Sequence, residues 1–269
     1  MDRIKIVGIL LLRNEERYLS NVIGNIVKFC DTIIIADDNS TDGTGRIVHR
    51  MINMHDNIIS QHIAHPAESH ELISGYANTP TWIFAVDGDE IYDPQGLAKL
   101  RELILKGEFR RWWMILGNVL HCVALDPINA VAKGYLSPPS RSMTKLYNFQ
   151  NIKKWSGPCP ERLHGGEIEF LEGFSSEDRL MYYEQIGWDE SLFRCLHLCF
   201  LPRSSVDRTF SGGTSIRNNI SEKNSMNIFS RFWLALNQKM GIGYTSTYKK
   251  EKYQRGILHT KNIDDFHLL

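Results

Sequence analysis

In Trp82-Ile83-Phe84-Ala85-Val86-Asp87-Gly88-Asp89-Glu90, five apolar residues run directly into three carboxylates within four positions. The apolar run predicts a buried strand, and ligand sites in open α/β sheets lie beyond the carboxyl ends of such strands. Carboxylates this close repel one another unless hydrogen bonds, solvent or a hard divalent cation compensates. Because Asp and Gly are also the commonest turn residues, a solvated acidic turn is the alternative for this stretch taken alone.

A second apolar strand is predicted at Thr32-Ile33-Ile34-Ile35-Ala36, and it also ends in a polar loop. The loop reads Asp37-Asp38-Asn39-Ser40-Thr41-Asp42-Gly43-Thr44, and a helical pattern follows from about Gly45 to Met54. Ser40 or Thr41 is expected to cap this helix, whose first backbone amides could receive an anion or a ribose hydroxyl. An ordinary capped connection is the alternative, since Asp, Asn, Ser and Thr favour such places without any function.

The beginning of the chain supplies a third copy of this arrangement. Ile4 to Leu12 is a strand candidate, and it is followed by Arg13-Asn14-Glu15-Glu16-Arg17. Apolar residues at helical spacing then predict a helix from about Tyr18 to Phe29. Three strands separated by segments of crossover length predict a parallel sheet covered by helices.

Three motifs in this order resemble the nucleotide-sugar motifs of family 2 glycosyltransferases. They are Leu12-Arg13-Asn14-Glu15-Glu16, then the loop from Asp37 to Thr44, then Asp87-Gly88-Asp89-Glu90. Within this family the three motifs most resemble those of the bacterial branch that builds lipopolysaccharide cores and related glycoconjugates. The resemblance covers residues 4–95 well and residues 110–200 more loosely. It implies an α/β fold of the GT-A type: a Rossmann-like, mostly parallel sheet flanked by helices, with a helical C-terminal extension.

The resemblance also implies roles for single residues, and it makes a UDP-sugar the donor and Mn²⁺ or Mg²⁺ the cofactor. The metal would act as a Lewis acid on the departing diphosphate, and hard oxygen ligands suit such ions. By this carry-over Leu12, Arg13 and Glu15 border the nucleoside, Asp38 holds the uracil ring, Asp87 contacts the ribose or a metal-bound water, and Asp89 ligates the metal.

Inverting sugar transfer needs a general base that faces the acceptor. The segment from Lys154 to His164 resembles one that in this branch reads aromatic, Gly, then Val-His-Glu, although Pro160 here replaces the His. Glu161 is therefore the predicted base, and Trp155 is the predicted wall of the sugar or acceptor pocket. Asp178 is the rival base, and a surface glutamate without a catalytic role is the alternative for Glu161.

A histidine late in the domain often completes the metal site in this fold, which makes His197 and His164 the candidates. Strand alternation in the run from Phe193 to Leu201 would place Cys195, His197 and Cys199 on one face. A structural zinc site is rejected because it needs four ligands at familiar spacings. A half-buried structural histidine is the alternative for His197.

The predicted domain organisation is a GT-A domain at residues 1–205 and a helical, basic extension at residues 206–269. Residues 1–95 form the nucleotide-sugar half of the first domain, and residues 96–205 form its acceptor half. A helix is expected at residues 228–236. The extension is a candidate lid over the diphosphate. Its basic residues are Lys249, Lys250, Lys252, Arg255 and Lys261.

Whole-chain properties limit the partners. The chain has 269 residues and a formal net charge of zero, with 31 acidic and 31 basic residues. This balance argues against a global attraction to nucleic acid without excluding a local basic cleft. Five cysteines without a framework spacing favour a reducing compartment, so a cytoplasmic protein is expected, with peripheral membrane association left open. The sequence does not predict an oligomeric state.

These observations predict an inverting, metal-dependent transferase that moves a hexose from a UDP-sugar to a hydroxyl acceptor. The acceptor would be a glycan, a lipid-linked sugar or another glycoconjugate. One alternative is a glycosyltransferase that acts on a modified nucleic-acid base or a protein. The other is a noncatalytic nucleotide-binding protein or a nucleotidyltransferase on a related fold.

Overall fold

The computed structural model describes residues 3–141, 145–156, 167–207 and 247–268. They form a mixed α/β protein with three sheets and short 3₁₀ turns at Pro66–His70, Phe149–Asn151, Trp188–Glu190 and Asp264–Phe266. The described helices are α1 (Leu19–Ile26), α2 (Thr44–Met54), α3 (Glu71–Ser74), α4 (Pro94–Lys106), α5 (Tyr182–Gln185) and α6 (Thr247–Tyr253). The described strands are β1 (Lys5–Leu12), β2 (Thr32–Asp38), β3 (Ile58–Ile63), β4 (Thr81–Asp87), β5 (Glu90–Tyr92), β6 (Met114–Leu116), β7 (Asn118–Asp126), β8 (Val131–Ser137), β9 (Lys145–Asn148), β10 (Ile152–Ser156), β11 (Glu167–Phe170), β12 (Arg179–Met181), β13 (Arg194–His197) and β14 (Leu258–Asn262).

The largest sheet has seven strands in the order β12-β6-β9-β4-β1-β2-β3. Its pairs β1/β2, β1/β4, β2/β3 and β6/β12 are parallel, and β9 runs antiparallel to both of its neighbours. The chain first winds outward from β1 to β3 and then returns to place β4 on the other side of β1. This reversal creates a crevice beyond the carboxyl ends of β1 and β4, which is where ligands bind in open α/β sheets.

Apolar side chains cover both faces of this sheet. On β4, Trp82 and Phe84 join the core cluster that contains α1 and α4, whereas Ile83 and Ala85 join the cluster on the opposite face. Strands that are buried on both sides read as continuous apolar runs, because neither face needs polar residues. The predicted α/β class with a mostly parallel sheet flanked by helices is confirmed.

The start of α2 differs from its prediction. The helix begins at Thr44, and no side chain caps it from the residue before. Asp42 accepts from Thr44 N at 2.9 Å, and Glu16 accepts from Gly43 N at 2.6 Å. Capping by Ser40 or Thr41 was therefore wrong, because a carboxylate from the preceding loop takes the position that a local hydroxyl was expected to fill.

Helix α4 shows the signals that define a helix from its own sequence. Asp93 accepts from the backbone N–H groups of Gln95 and Gly96, Pro94 occupies the first turn, and Gly107 ends the helix in the left-handed conformation at φ 83°. The helix therefore begins at Pro94, before its first buried leucine, Leu97.

A five-stranded sheet, in the order β14-β8-β7-β13-β5, forms the second half of the molecule. Its edge strand β5 begins at Glu90, one residue after the acidic turn, and the register places His197 between Glu90 and His121 on neighbouring strands. Strand β14 pairs with β8, so part of the predicted extension is built into this sheet. The expected helix at residues 228–236 lies outside the described residues. In the described part of the chain, no helix has the length and apolar character needed to cross a membrane.

Candidate functional site

The loops after β1 and β2 are held together by hydrogen bonds between side chains and backbone. Asn14 adopts a left-handed conformation at φ 57°, and its side-chain oxygen accepts from Thr41 N at 2.7 Å. Ser40 Oγ accepts from Asn14 N at 2.9 Å, and Thr44 Oγ1 accepts from Glu15 N at 2.7 Å. The polar residues that follow both strands therefore build one rigid rim along the carboxyl edge of the sheet.

Glu15, Asp87 and Asp89, which we call the carboxylate cluster, meet in the crevice between β1 and β4. All three are buried, with exposed fractions of 6%, 3% and 2%. Gly88 turns the chain between the two aspartates, and a Cβ at this position would overlap Glu15 Cγ. Glycine is thus required here because the Glu15 side chain packs directly on the backbone of the turn.

Glu90 has a structural role beside this cluster. It is wholly buried, and its Oε2 accepts from Asp87 N at 3.2 Å and from the Tyr92 hydroxyl at 3.0 Å. Burial raises the pKa of its carboxyl to about 8, while the Lys145 charge acts in the opposite direction. Glu90 therefore holds the acidic turn from behind and leaves Asp87 and Asp89 to face the crevice.

Arg203 supplies a positive charge to the carboxylate cluster. Its Nη1 lies 2.5 Å from Asp89 Oδ2 and 3.3 Å from Glu15 Oε1. Burial acts against the charged form, but Asp89 and Glu15 outweigh it and raise the pKa of the guanidinium above its ordinary value. Asp89 is consequently a carboxylate with a resident cation.

His197 approaches the other side of Asp89, with Nε2 at 3.7 Å from Asp89 Oδ2. The hydrogen bonds behind it define its tautomer. The Arg141 carbonyl can only accept, so His121 Nε2, at 2.9 Å, carries a proton. Burial and the neighbouring His197 hold the pKa of His121 well below its usual value, so His121 is neutral and its Nδ1 is an acceptor.

His197 Nδ1 lies 2.8 Å from His121 Nδ1 and must therefore donate the shared proton. In the neutral form of His197 the lone pair is then on Nε2, which lies 3.7 Å from Asp89 Oδ2. Such an outer hydrogen bond is the usual means by which a protein orients a metal-binding imidazole. The oxygen of Asp89 and the nitrogen of His197 together form a donor pair that fits a divalent cation.

Cys199 lies beside the same two rings. One ligand atom from each of His121, His197 and Cys199 falls within 4.8 Å of the others. The histidines already share a proton, however, and burial raises the pKa of the Cys199 thiol to about 12. A buried thiol that does not ionise is a weak ligand, so the described residues do not complete a separate zinc site. Cys195, predicted on the same face, is buried in the core and is not part of this group.

Asp38 lies at the end of β2, with only 3% of its surface exposed. Its Oδ2 accepts from Arg13 Nη1 at 3.3 Å, and its Oδ1 accepts from Asn39 Nδ2 at 3.3 Å. Leu12 is fully buried at the end of β1, and Arg13 is largely exposed. The structure thus brings Arg13 and Asp38 together at the same rim as Glu15.

Two predicted site residues, Glu161 and His164, lie outside the described residues, so their roles stay predictions. Trp155 is described and is only 4% exposed, packed against Tyr147 and Phe149 in the core. Among the described residues Trp155 belongs to the core, and its role as a pocket wall stays a prediction.

Asp178 does not lie near the carboxylate cluster. It precedes β12, and the register through β6 and β9 places it level with Trp82 at the start of β4. Asp87 is farther along β4 by roughly 16 Å, at about 3.3 Å per residue. Asp178 instead accepts from Ser175 N at 2.7 Å within its own turn. The structure therefore does not place Asp178 where a base for this crevice is needed.

Sequence reasoning missed Arg203 and His121. Arg203 follows β13 by only a few residues, and no motif or spacing marks it. His121 lies on the strand next to β13, so only the strand register brings it against His197. A pairing prediction for β7 and β13 was the one signal that could have found it.

Comparison with known proteins finds a family model that matches part of the chain. The model of glycosyl transferase family 2 matches residues 9–110. A comparison with curated proteins finds no match.

Solved structures give low-identity likenesses. The crystal structure of S. aureus TarS is 19% identical with a TM-score of 0.38, over 54% of this chain and 28% of TarS. The mannosyltransferase PcManGT from Pyrobaculum calidifontis, in complex with GDP-Man and Mn²⁺, is 18% identical with a TM-score of 0.31, over 45% of this chain and 36% of that chain. Glucosyl-3-phosphoglycerate synthase from Mycobacterium tuberculosis, in complex with Mn²⁺, UDP-glucose and phosphoglyceric acid, is 19% identical with a TM-score of 0.32, over 44% of each chain. The chain thus spans less than a third of the length of TarS.

Proposed function

We propose that this chain, whose residues 9–110 match the model of glycosyl transferase family 2, transfers a sugar from a nucleotide-sugar donor to a hydroxyl group of an acceptor. The observation that carries the proposal is the convergence of the three family motifs on one crevice. Glu15 follows β1, Asp87 and Asp89 lie at the end of the neighbouring strand β4, and all three are buried. The second motif is joined to the first by the hydrogen bond from Thr41 N to Asn14. A solvated acidic turn would leave such carboxylates exposed.

The donor would lie along the rim formed by the loops after β1 and β2. Asp38 can accept a hydrogen bond from a ring N–H of a uracil base, and Arg13 lies beside it. We therefore propose UDP as the nucleotide.

The metal would be held by Asp89 and His197, with Asp87 beside them. A carboxylate oxygen and an imidazole nitrogen make a mixed donor set, which suits Mn²⁺ better than Mg²⁺ because Mg²⁺ prefers oxygen ligands. A divalent ion bound there would supply Lewis-acid stabilisation of the charge on the departing diphosphate. His121 would keep His197 in the tautomer that presents Nε2.

Glu161 stays the proposed base for an inverting reaction, since Asp178 lies at the far end of the sheet. The acceptor is proposed to be a glycan or another glycoconjugate, contacted by residues of the second half of the chain. A cytoplasmic location and peripheral membrane association also stay predictions. The four described cysteines are buried and unpaired, which suits a reducing compartment.

Calorimetric titration of UDP with and without Mn²⁺ tests the donor site. We expect binding that requires Mn²⁺ and that Asp89→Ala weakens by about 100-fold, because removing a metal ligand costs several kcal/mol of charge stabilisation. Asp189→Ala is the matched control, since Asp189 is an exposed acid paired with Lys261 on the surface. GDP in place of UDP tests the choice of base.

Release of UDP from a panel of UDP-sugars, with and without glycan acceptors, then separates an enzyme from a nucleotide-binding protein. Binding without any turnover would favour the noncatalytic alternative. A wild-type protein that binds neither UDP nor GDP in the presence of Mn²⁺ would contradict the proposed function.

A further inference from the structure

The side chain of Arg203 lies against the carboxylate cluster and contacts two of its three members. Its side chain is 12% exposed, and Nη1 contacts both Asp89 Oδ2 at 2.5 Å and Glu15 Oε1 at 3.3 Å. An arginine that bridges two buried carboxylates is normally a structural ion pair. Here, however, the oxygen that Arg203 contacts on Asp89, Oδ2, is also the oxygen that faces His197. This oxygen is suited to a divalent cation.

The backbone around Arg203 is anchored to the motif loops, so the guanidinium is positioned and does not reach the cluster by chance. The Arg203 carbonyl accepts from Arg17 N at 2.9 Å. Ser204 Oγ donates to Asp42, and Ser205 N donates to Glu16 Oε1 at 2.5 Å. Residues 203–205 are thereby tied to the loops after β1 and β2, while the Arg203 side chain reaches the turn after β4.

Two cations cannot share Asp89 Oδ2 without strong repulsion. A divalent ion bound at this oxygen would lie within a few ångströms of the guanidinium, and water, which would screen the two charges, is largely absent from this buried position. The metal would therefore have to displace Arg203 from Asp89. The displaced guanidinium would keep Glu15 but lose its shorter ion pair, and a diphosphate is an anion that arginine binds well in its place.

We propose that Arg203 is the resident counter-cation of Asp89 and Glu15, and that a divalent metal binds tightly only together with a nucleoside diphosphate that accepts the displaced guanidinium. This inference rests on the proposed function, since it assumes a metal and a nucleotide in this crevice. It adds that the two ligands bind cooperatively and that Arg203 is the origin of the cooperativity. Coupling of this kind is reciprocal, so Mn²⁺ must strengthen UDP binding by the same factor.

The test is a titration of Mn²⁺ alone, followed by electron paramagnetic resonance or calorimetry, on the wild type, Arg203→Gln and Arg203→Lys. We expect Arg203→Gln to bind Mn²⁺ about tenfold more tightly than the wild type in the absence of nucleotide, because the competing charge is gone. Arg203→Lys keeps the charge and is expected to stay close to the wild type. Arg101→Gln, which removes a part-buried arginine paired with Asp31 outside the crevice, is the matched control for general destabilisation.

A second measurement uses only the wild type and thus does not depend on how any variant folds. Its Mn²⁺ affinity is measured with and without saturating UDP, with a correction for Mn²⁺ bound to free UDP. We expect UDP to tighten Mn²⁺ binding by about 5- to 150-fold. The same measurement on Arg203→Gln is expected to give a smaller factor.

Absence of this coupling in the wild type, or an Arg203→Gln protein that binds Mn²⁺ no more tightly, would overturn the inference. If Mn²⁺ and UDP still bind in an Asp89-dependent way, the proposed function survives that result. If the wild type binds neither Mn²⁺ nor UDP, both the inference and the proposed function fail.

Discussion

At the scale of single residues, Asp89 is the point at which three kinds of group meet. Arg203 offers it a permanent charge, His197 faces it with Nε2, and the Gly88 turn fixes its backbone. Asp89 is buried, and under our proposal it exchanges its arginine partner for a metal ion. This property is what a site for a charged ligand needs, because desolvation strengthens every interaction made there.

His121 is a positioning residue by the same reasoning, and its replacement tests the tautomer of His197. His121→Phe removes the acceptor for His197 Nδ1–H and frees the ring to carry its proton on Nε2 instead. We expect Mn²⁺ affinity in the presence of UDP to fall by about 10- to 100-fold, which is typical when the outer partner of a metal-binding histidine is lost. Titration calorimetry measures this change.

His121→Gln is the matched variant, because its amide oxygen keeps an acceptor near His197 Nδ1. Partial rescue of Mn²⁺ affinity in His121→Gln is expected, with both variants checked for folding by circular dichroism. Equal affinities in His121→Phe and the wild type would mean that His121 only fills space.

At the scale of elements, the candidate site lies at the ends of the strands, and side chains from the helices behind them are linked to the sheet by hydrogen bonds. Asp31, in the connection between α1 and β2, accepts from Ile6 N on β1 at 2.8 Å and from Arg101 on α4 at 2.6 Å. One carboxylate therefore ties a helix to the central strand. The free energy of such a link is pH-dependent.

Asp31→Asn is predicted to lower the free energy of unfolding by about 1–3 kcal/mol at neutral pH, since a charged hydrogen-bonding partner is lost. Burial alone would raise the pKa of Asp31, but the Arg101 and Ile6 hydrogen bonds outweigh it and the pKa is lowered from 3.8. The stabilisation is therefore present above the unfolded value and is lost as the pH falls through the lower folded value. Urea denaturation of wild type and variant from pH 7 down to about pH 2, a range that extends well below the ordinary value of 3.8, measures the difference.

The difference in stability between the two proteins is expected to be constant above pH 5 and to shrink below about pH 4. Asp56→Asn, at an exposed aspartate, is the control and is expected to change stability by less than about 0.5 kcal/mol. A difference that persists unchanged into acid would show that the Asp31 charge does not stabilise the fold.

At the scale of the whole molecule, two sheets meet at the acidic turn, and the end of the chain returns to both halves. Strand β14 pairs with β8 in the second sheet, and the turn at Asp264–Phe266 packs beside α4. Asn25 on α1 donates to the Phe266 carbonyl at 2.6 Å. Residues 258–266 therefore belong to the folded body, whereas a lid role for the rest of the predicted extension stays a prediction. Lys249, one of its basic residues, is buried and donates to the Cys199 carbonyl at 3.2 Å.

Phe266→Ala is predicted to destabilise the whole protein by about 3–5 kcal/mol, the usual cost of emptying a buried aromatic site. Phe266 is fully buried, and its ring stacks on Trp188 with centroids 5.9 Å apart. Ile257→Ala, at a nearby side chain that is 72% exposed, is the control and should have almost no effect. Similar midpoints of urea denaturation for both variants would contradict the view that the C-terminal residues stabilise the body.

Local sequence patterns alone predicted β1, β2 and β4, the helices α1 and α2 and the polar loops of the first half, but not β3 or α3. Apolar runs such as Thr32 to Ala36 and Trp82 to Val86 are local signals, because a strand buried on both faces must be apolar throughout. The motif acids Glu15, Asp38, Asp87 and Asp89 could be found for the same reason, since each lies within three residues of the end of such a run. Element ends were less predictable: Asp37 and Asp38 extend β2, and α2 takes its first hydrogen bonds from Glu16 and Asp42.

The charges that surround Asp89 depend on tertiary contacts between residues far apart in the sequence. Arg203 lies 114 positions away from Asp89 in the sequence, and His121 meets His197 across a separation of 76. Contacts at such distances follow from strand register and sheet order, and no local pattern of residues encodes them. The same reason explains Asp178, which resembles a catalytic acid in sequence but begins a strand whose start lies at the opposite edge of the sheet. Long-range contacts bring Arg203 and His197 to Asp89. The strand register keeps Asp178 away from it.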